Sequence, residues 1–128
     1  MNKLIIDVAN EKIFLMIITN VSIYNITHEN TKINYEKLAL IINDFLSSKN
    51  LKIAEINAIY INNRTRSFAG IRNLMSIVKA FNVAKNIDYY FYNLDDFKDE
   101  KDLGYENIPN LCKKYKIKKN LINPIYIS

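Results

Sequence analysis

Glycine and proline are scarce in this chain, two of each in 128 residues. Irregular loops draw on both residues, so most of the sequence should lie in regular elements. Cysteine is scarcer still. Cys112 stands alone, which excludes an intramolecular disulfide, and the plain expectation for it is a buried thiol. His28 is the only histidine, and one His with one Cys cannot supply an ordinary zinc ligand set. No apolar run approaches the about 18 residues that a membrane span needs. The opening Met1-Asn2-Lys3-Leu4-Ile5-Ile6-Asp7 reaches an acid too early for a signal peptide. The expectation is a soluble, cytoplasmic chain with no membrane partner.

What the chain has is a composition fit to bury a core. Hydrophobic residues make up 49% and charged residues 24%, which argues against disorder. The length suits one domain held without disulfides. A net charge of +5 is compatible with contact to RNA. Ile, Asn and Lys dominate, however, and all three have AT-rich codons, so codon bias ranks ahead of RNA binding as the source of the lysines.

Leu4–Val8, Ile13–Ile18 and Val21–Thr27 read as three strands close enough in sequence to form an antiparallel meander, with Thr19-Asn20 as a two-residue junction. Leu38, Ile41, Ile42, Phe45 and Leu46 repeat at helical spacing, which predicts a helix over 34–47 capped by Asn34. A fourth strand follows from Ile56 to Ile61, parallel to its sheet neighbour because a helix intervenes. A second helix runs from an N-cap at Ser67 to Lys85. Ile71, Leu74, Met75, Val78 and Phe81 form one apolar stripe on it, and Ile77, Ala80 and Ala84 add apolar surface on another side. A helix apolar nearly all round is buried on more than one side, by a third helix or by a second protein. Ile87–Tyr92 is a fifth strand, Leu94–Lys98 a short helix or turn, and Asp99-Glu100-Lys101-Asp102 a solvated charge run. Pro109 opens a short helix to Tyr115, and Lys113, Lys114, Lys116, Lys118 and Lys119 make a basic stretch.

The segment with the most specific wording is Arg64-Thr65-Arg66-Ser67-Phe68-Ala69-Gly70-Ile71-Arg72, placed after a strand and at the head of a helix. Such a junction presents backbone N–H groups to a partner or an anion. It resembles the loop of the bacterial TsaB (YeaZ) family, roughly G-P-G-S-F-T-G-L-R. Ser67, Phe68, Gly70 and Arg72 match it, Ile71 stands for Leu, and Lys79 matches a lysine further along the helix. Leu4-Ile5-Ile6-Asp7, Glu36 with Leu38, Asn57-Ala58-Ile59 and the closing Pro124-Ile125-Tyr126-Ile127 resemble further stretches of the family.

The resemblance implies an α/β fold, the ribonuclease-H-like first lobe of the actin, sugar kinase and Hsp70 superfamily, with a five-stranded mixed sheet and helices. The expected division is a lobe over 1–98 and an extension over 99–128, the remnant of a lost second lobe. The implied role is non-catalytic: a scaffold subunit in the threonylcarbamoyladenosine modification of tRNA at position 37. The partner would be a TsaD-like catalytic subunit, paired through two helices, with a TsaE-like ATPase docking on the pair and tRNA met indirectly. Isolated chains would homodimerise. The implied interface takes in Leu38, Ile41, Ser67, Phe68, Gly70, Arg72, Asn73, Ile77, Ala80 and Ala84. The family's Gly-Pro-Gly turn is here Arg64-Thr65-Arg66, and Leu74 and Ala80 replace expected glycines.

Catalysis by this chain alone is not expected, and neither is a resident cofactor or metal. Asp7 stands at a strand end, but Val8-Ala9-Asn10 after it lacks a phosphate-binding glycine turn. The expectation for Asp7 is hydrogen bonding to nearby backbone. Ser67 has no general base near it in sequence. A basic tRNA-binding module and a degenerate nucleotide-binding protein are the alternatives.

Overall fold

The computed structural model describes residues 1–62, 64 and 68–121, with the side chains of 68–71 left aside. Five strands form one mixed sheet: β1 (Lys3–Asp7), β2 (Lys12–Ile18), β3 (Ile23–Glu29), β4 (Ala58–Asn62) and β5 (Asp88–Tyr92). Their spatial order is β3-β2-β1-β4-β5. The first three form the antiparallel meander, and β4 and β5 add in parallel beside β1. β4 therefore pairs with β1 and not with its sequence predecessor β3, which lies at the far edge.

Period-two alternation gives the sheet two apolar faces. Leu4, Ile6, Ile13, Leu15, Ile17, Ile59, Ile61, Tyr89 and Phe91 point to one, and Ile5, Met16, Ala58, Tyr60 and Tyr92 to the other. Helices α1 (Lys32–Glu36), α2 (Leu38–Ser48) and α3 (Phe68–Lys85) lie on the first side. Leu38, Ile42, Phe45, Leu46, Leu74 and Val78 seal that core. The second face is covered by the 3-10 turn Leu94–Phe97 and by α4 (Ile108–Lys114), through Phe97, Ile108, Leu111 and Cys112. Residues expected as an extension beyond 98 thus pack on the same sheet as the lobe.

Several local expectations shift. The β2–β3 connection is the four-residue turn Thr19–Ser22, because the register pairs Ile18 with Ile23. No glycine is needed there, since the Thr19 hydroxyl accepts from the amides of Val21 and Ser22. The helix expected over 34–47 is two helices broken at Lys37. Its cap is Thr31, whose side chain accepts from the Asn34 amide, while Asn34 donates its own amide group to the Glu29 carbonyl. A 3-10 turn, Ile53–Glu55, precedes β4 and delays its start to Ala58. The expected N-cap Ser67 and the closing Pro124–Ile127 motif lie outside the described residues.

Scarce glycine leaves a trace in the backbone. Asn50, Asn86, Lys116 and Asn120 hold positive φ values of 59, 57, 56 and 58°, the first three just past the ends of α2, α3 and α4. Asn tolerates this conformation through local hydrogen bonding, and Lys116 tolerates it less well. Asn120 also guards the open edge of β5. Its amide donates to the Tyr89 carbonyl and its side-chain oxygen accepts from the Tyr89 amide.

If α4 belongs to the same cooperative unit as the sheet, Leu111→Ala will destabilise the whole domain by about 2–4 kcal/mol. Urea unfolding followed by circular dichroism will show one transition at a lower midpoint. A sheet transition unmoved by the substitution would mean that 99–121 folds separately.

Candidate functional site

The parallel part of the sheet brings three polar residues into one row. Asp7, Asn62 and Tyr92 are the last residues of β1, β4 and β5. The register sets Asn62 beside Tyr92 and Ile61 beside Ile6, so the three strand ends lie adjacent on the α4 side of the sheet. In open α/β sheets this carboxyl end of the strands is where ligands bind.

Asp7 is the centre of the row and is only 3% exposed. One carboxylate oxygen accepts from the Ala9 amide at 2.9 Å. The other accepts from the Asn62 side chain at 3.2 Å and from the Tyr105 hydroxyl at 2.8 Å. The bond to backbone was legible in the sequence; the two side-chain donors were not. Tyr105 reaches the row because its ring stacks on Phe14, with centroids 4.0 Å apart, and Phe14 is the residue paired with Asp7 across β1 and β2. The segment leading into α4 is therefore latched over the strand ends by one ring contact and one charge-assisted hydrogen bond.

A cleft of about 500 Å³ opens here. Asp7, Asn62, Tyr92 and Tyr105 form its polar wall, Leu94, Leu103 and Ile108 its apolar wall, and Arg64 lines its rim. Asp7 is the only carboxylate among the described lining residues. Among the described residues no three His, Cys, Asp or Glu side chains converge as metal ligands. The Tyr92 hydroxyl is buried with no hydrogen-bond partner among the described residues. Burial, then the nearby Asp7 charge, raises the Tyr92 phenol well above its ordinary value. Burial and the hydrogen bond to Asp7 do the same for Tyr105, and burial with the neighbouring Tyr90 for Tyr60. Burial pushes the Cys112 thiol up to about 12, so it is not a reactive cysteine in the folded chain.

The residues expected at a partner interface divide. Arg72, Ala80 and Ala84 are exposed on α3, together with Ser76, Lys79 and Val83. These six recur at intervals of three and four and form one outward stripe. Leu38 is corrected: it is fully buried in the domain's own core and has no surface to offer. Ile41 and Ile77 are partly buried and pack against that core, at the flank of the outward surface. The Asn73 side chain donates to the Tyr35 carbonyl at 2.6 Å and ties α3 to the end of α1. Ser67 lies outside the described residues, as do the side chains of Phe68 and Gly70's neighbour Ile71; for Gly70 only its place in α3 is described. Val83, 76% exposed, and Leu40 on α2, 56% exposed, are outward apolar residues that the sequence pattern did not single out. The place of Val83 on the stripe could have been found by extending the helical repeat of α3 to its polar side.

Comparison with solved structures places this arrangement. YeaZ from Pseudomonas aeruginosa superposes with a TM-score of 0.64 at 14% identity, over 72% of this chain and 43% of YeaZ. The fold is YeaZ-like. A second P. aeruginosa structure, an uncharacterized protein described as similar to the peptidase YeaZ, aligns with the same scores. RuvC from T. thermophilus, solved with a Holliday junction substrate, aligns at a TM-score of 0.54 and 10% identity, over 96% of this chain and 83% of RuvC. These neighbours make the fold ribonuclease-H-like, and the chain spans less than half the length of YeaZ. No protein-family model and no curated protein matches the chain. No helix among the described residues is long and apolar enough to cross a membrane.

The raised phenols predict an alkaline limit. Tyr92 and Tyr105 hold their protons more tightly folded than unfolded, where the ordinary value is 10.0. Their contribution is complete below that value. Above it the unfolded chain sheds protons that the folded chain keeps, and stability falls until the folded values are passed. The urea midpoint should be level to about pH 8, begin to decline at about pH 9, where the Cys112 thiol starts to ionise in the unfolded chain, and fall more steeply above about pH 10; Tyr92→Phe should make that steeper part shallower. An equal slope in the variant would contradict this assignment.

Proposed function

We propose that the chain is a short YeaZ-type scaffold in tRNA threonylcarbamoyladenosine synthesis. It pairs with a TsaD-like catalytic subunit through the outward face of α3, flanked by α2, and itself performs no chemistry. A TsaE-like ATPase docks on the pair, and tRNA is met through the partner. The observation that carries this reading is the YeaZ-like fold over 72% of the chain, in which α3 has an outward stripe whose second half, Ala80, Val83 and Ala84, is small and apolar, with Arg72 and Lys79 before it. Ala80 and Ala84 let another helix approach closely, and Val83 supplies apolar area. Without a partner, the same stripe, together with the exposed Leu40 of α2, favours self-association, so the isolated chain is expected to dimerise.

The non-catalytic part rests on the strand-end row. Asp7 alone would have to serve a metal–triphosphate, and the backbone after it offers no glycine turn for phosphate. Calorimetry with ATP and Mg²⁺ should give no binding heat. Low-micromolar affinity abolished by Asp7→Ala would overturn this part of the reading.

The pairing is tested with Ala84→Glu. The position is exposed, so the fold should survive, with an unchanged circular dichroism spectrum. In the complex the new carboxylate would be buried unpaired, at about 3 kcal/mol or more, which lowers affinity about a hundredfold or more. Pull-down of a TsaD-like subunit should fail. Normal binding would place the interface elsewhere.

A further inference from the structure

The strand-end cleft holds more polar chemistry than a scaffold needs. Asp7 is a buried carboxylate, and among the described residues it has no ion pair. Three neutral donors satisfy it, the Ala9 amide, the Asn62 amide group and the Tyr105 hydroxyl. A carboxylate has about four acceptor sites, so one is left. The Tyr105 oxygen gives its proton to Asp7 and keeps acceptor capacity of its own. Tyr92 brings a second phenol with no partner among the described residues, on the same wall of the same cleft. A buried polar group left unmade is costly, and among the described residues the Tyr92 hydroxyl, unpartnered at the deep end of the cleft beside a carboxylate with no counter-charge, calls for an occupant.

We propose that this cleft is a binding site for a small zwitterion, a free amino acid with an apolar side chain. Its ammonium carries three N–H donors, which match the free acceptor sites of Asp7, Tyr105 and Tyr92. It also supplies the positive charge that Asp7 lacks. Its carboxylate faces Arg64 at the rim. Its side chain lies along Leu94, Leu103 and Ile108, and a cleft of about 500 Å³ has room for it. A bare anion fits poorly, because Asp7 would repel it from the deep end. A divalent metal fits poorly as well, because a single carboxylate among neutral groups is a weak hard-ion ligand set. The site would let the scaffold sense amino-acid supply, and it stands apart from the α3 stripe, so it does not depend on the pairing proposed above.

The test is a thermal-shift screen of the intact chain against the twenty proteinogenic L-amino acids, inorganic phosphate and MgCl₂, with calorimetry on any hit. At least one apolar amino acid should raise the melting temperature. Its N-acetyl derivative, which has no ammonium, should bind at least about tenfold more weakly, and so should the free amino acid to Asp7→Asn. Arg64→Ala should weaken the free amino acid several-fold but leave its amide derivative unchanged. Tyr92→Phe, which keeps the ring and removes only the orphan hydroxyl, should also weaken it several-fold, and this variant decides the matter should Asp7→Asn fail to fold. The proposal is overturned if no amino acid stabilises the chain. It is equally overturned if phosphate or Mg²⁺ alone stabilises it through Asp7, or if a hit binds as tightly after N-acetylation or to Tyr92→Phe.

Discussion

A single five-stranded sheet with two apolar faces must be covered on both sides, and that demand shapes the chain. One face takes α2 and α3, whose Leu38, Ile42, Leu46, Leu74 and Val78 are buried to within 1% of complete. The other takes the stretch after β5, where Phe97, Ile108, Leu111 and Cys112 close over Ile5, Tyr60 and Tyr92. Left bare, that second face would expose residues that the sheet already holds out of water. The hydrophobic term that drives burial is proportional to area and favours its closure. The chain spans less than half of YeaZ, yet its own last third supplies the cover.

The cover has a fixed seat because of polar groups, not apolar ones. Apolar contact alone would let α4 slide. Tyr105 stacks on Phe14 and donates to Asp7, and Lys114 and Tyr115 both bond Glu100, which holds that carboxyl below its usual value. Asn120 then binds the edge of β5 through its backbone and its side chain, and its Nδ2 group donates to Asp88. These directional contacts set where the strand-end cleft lies and which side chains line it.

The sheet was readable in the sequence because β1, β2 and β4 are short continuous apolar runs, as strands covered on both faces are, and α3 carries a long helical repeat. Element ends were less readable. Thr31 took the capping role expected of Asn34 because its hydroxyl reaches the Asn34 amide, and the register of Ile18 with Ile23 lengthened the first turn. Leu38 was misread as surface because a helical repeat tells which residues share a side but not which side meets the sheet. The strand-end row escaped notice for a different reason. Asn62 and Tyr92 are unremarkable in sequence and become a site only when parallel pairing sets them beside Asp7. Tyr105 lies 98 residues from Asp7, and no local pattern links the two.

The proposed pairing sets the outward stripe of α3, and not the strand-end cleft, against a TsaD-like subunit. Hydrogen exchange of the chain, alone and mixed with a TsaD-like subunit, tests this most directly, because amide protection reports on each element separately. The expected result is slower exchange along α3 and α2 in the mixture, with α4 and the residues around Asp7 unchanged. Protection that appears around Asp7 and Tyr105 while α3 exchanges as before would contradict it.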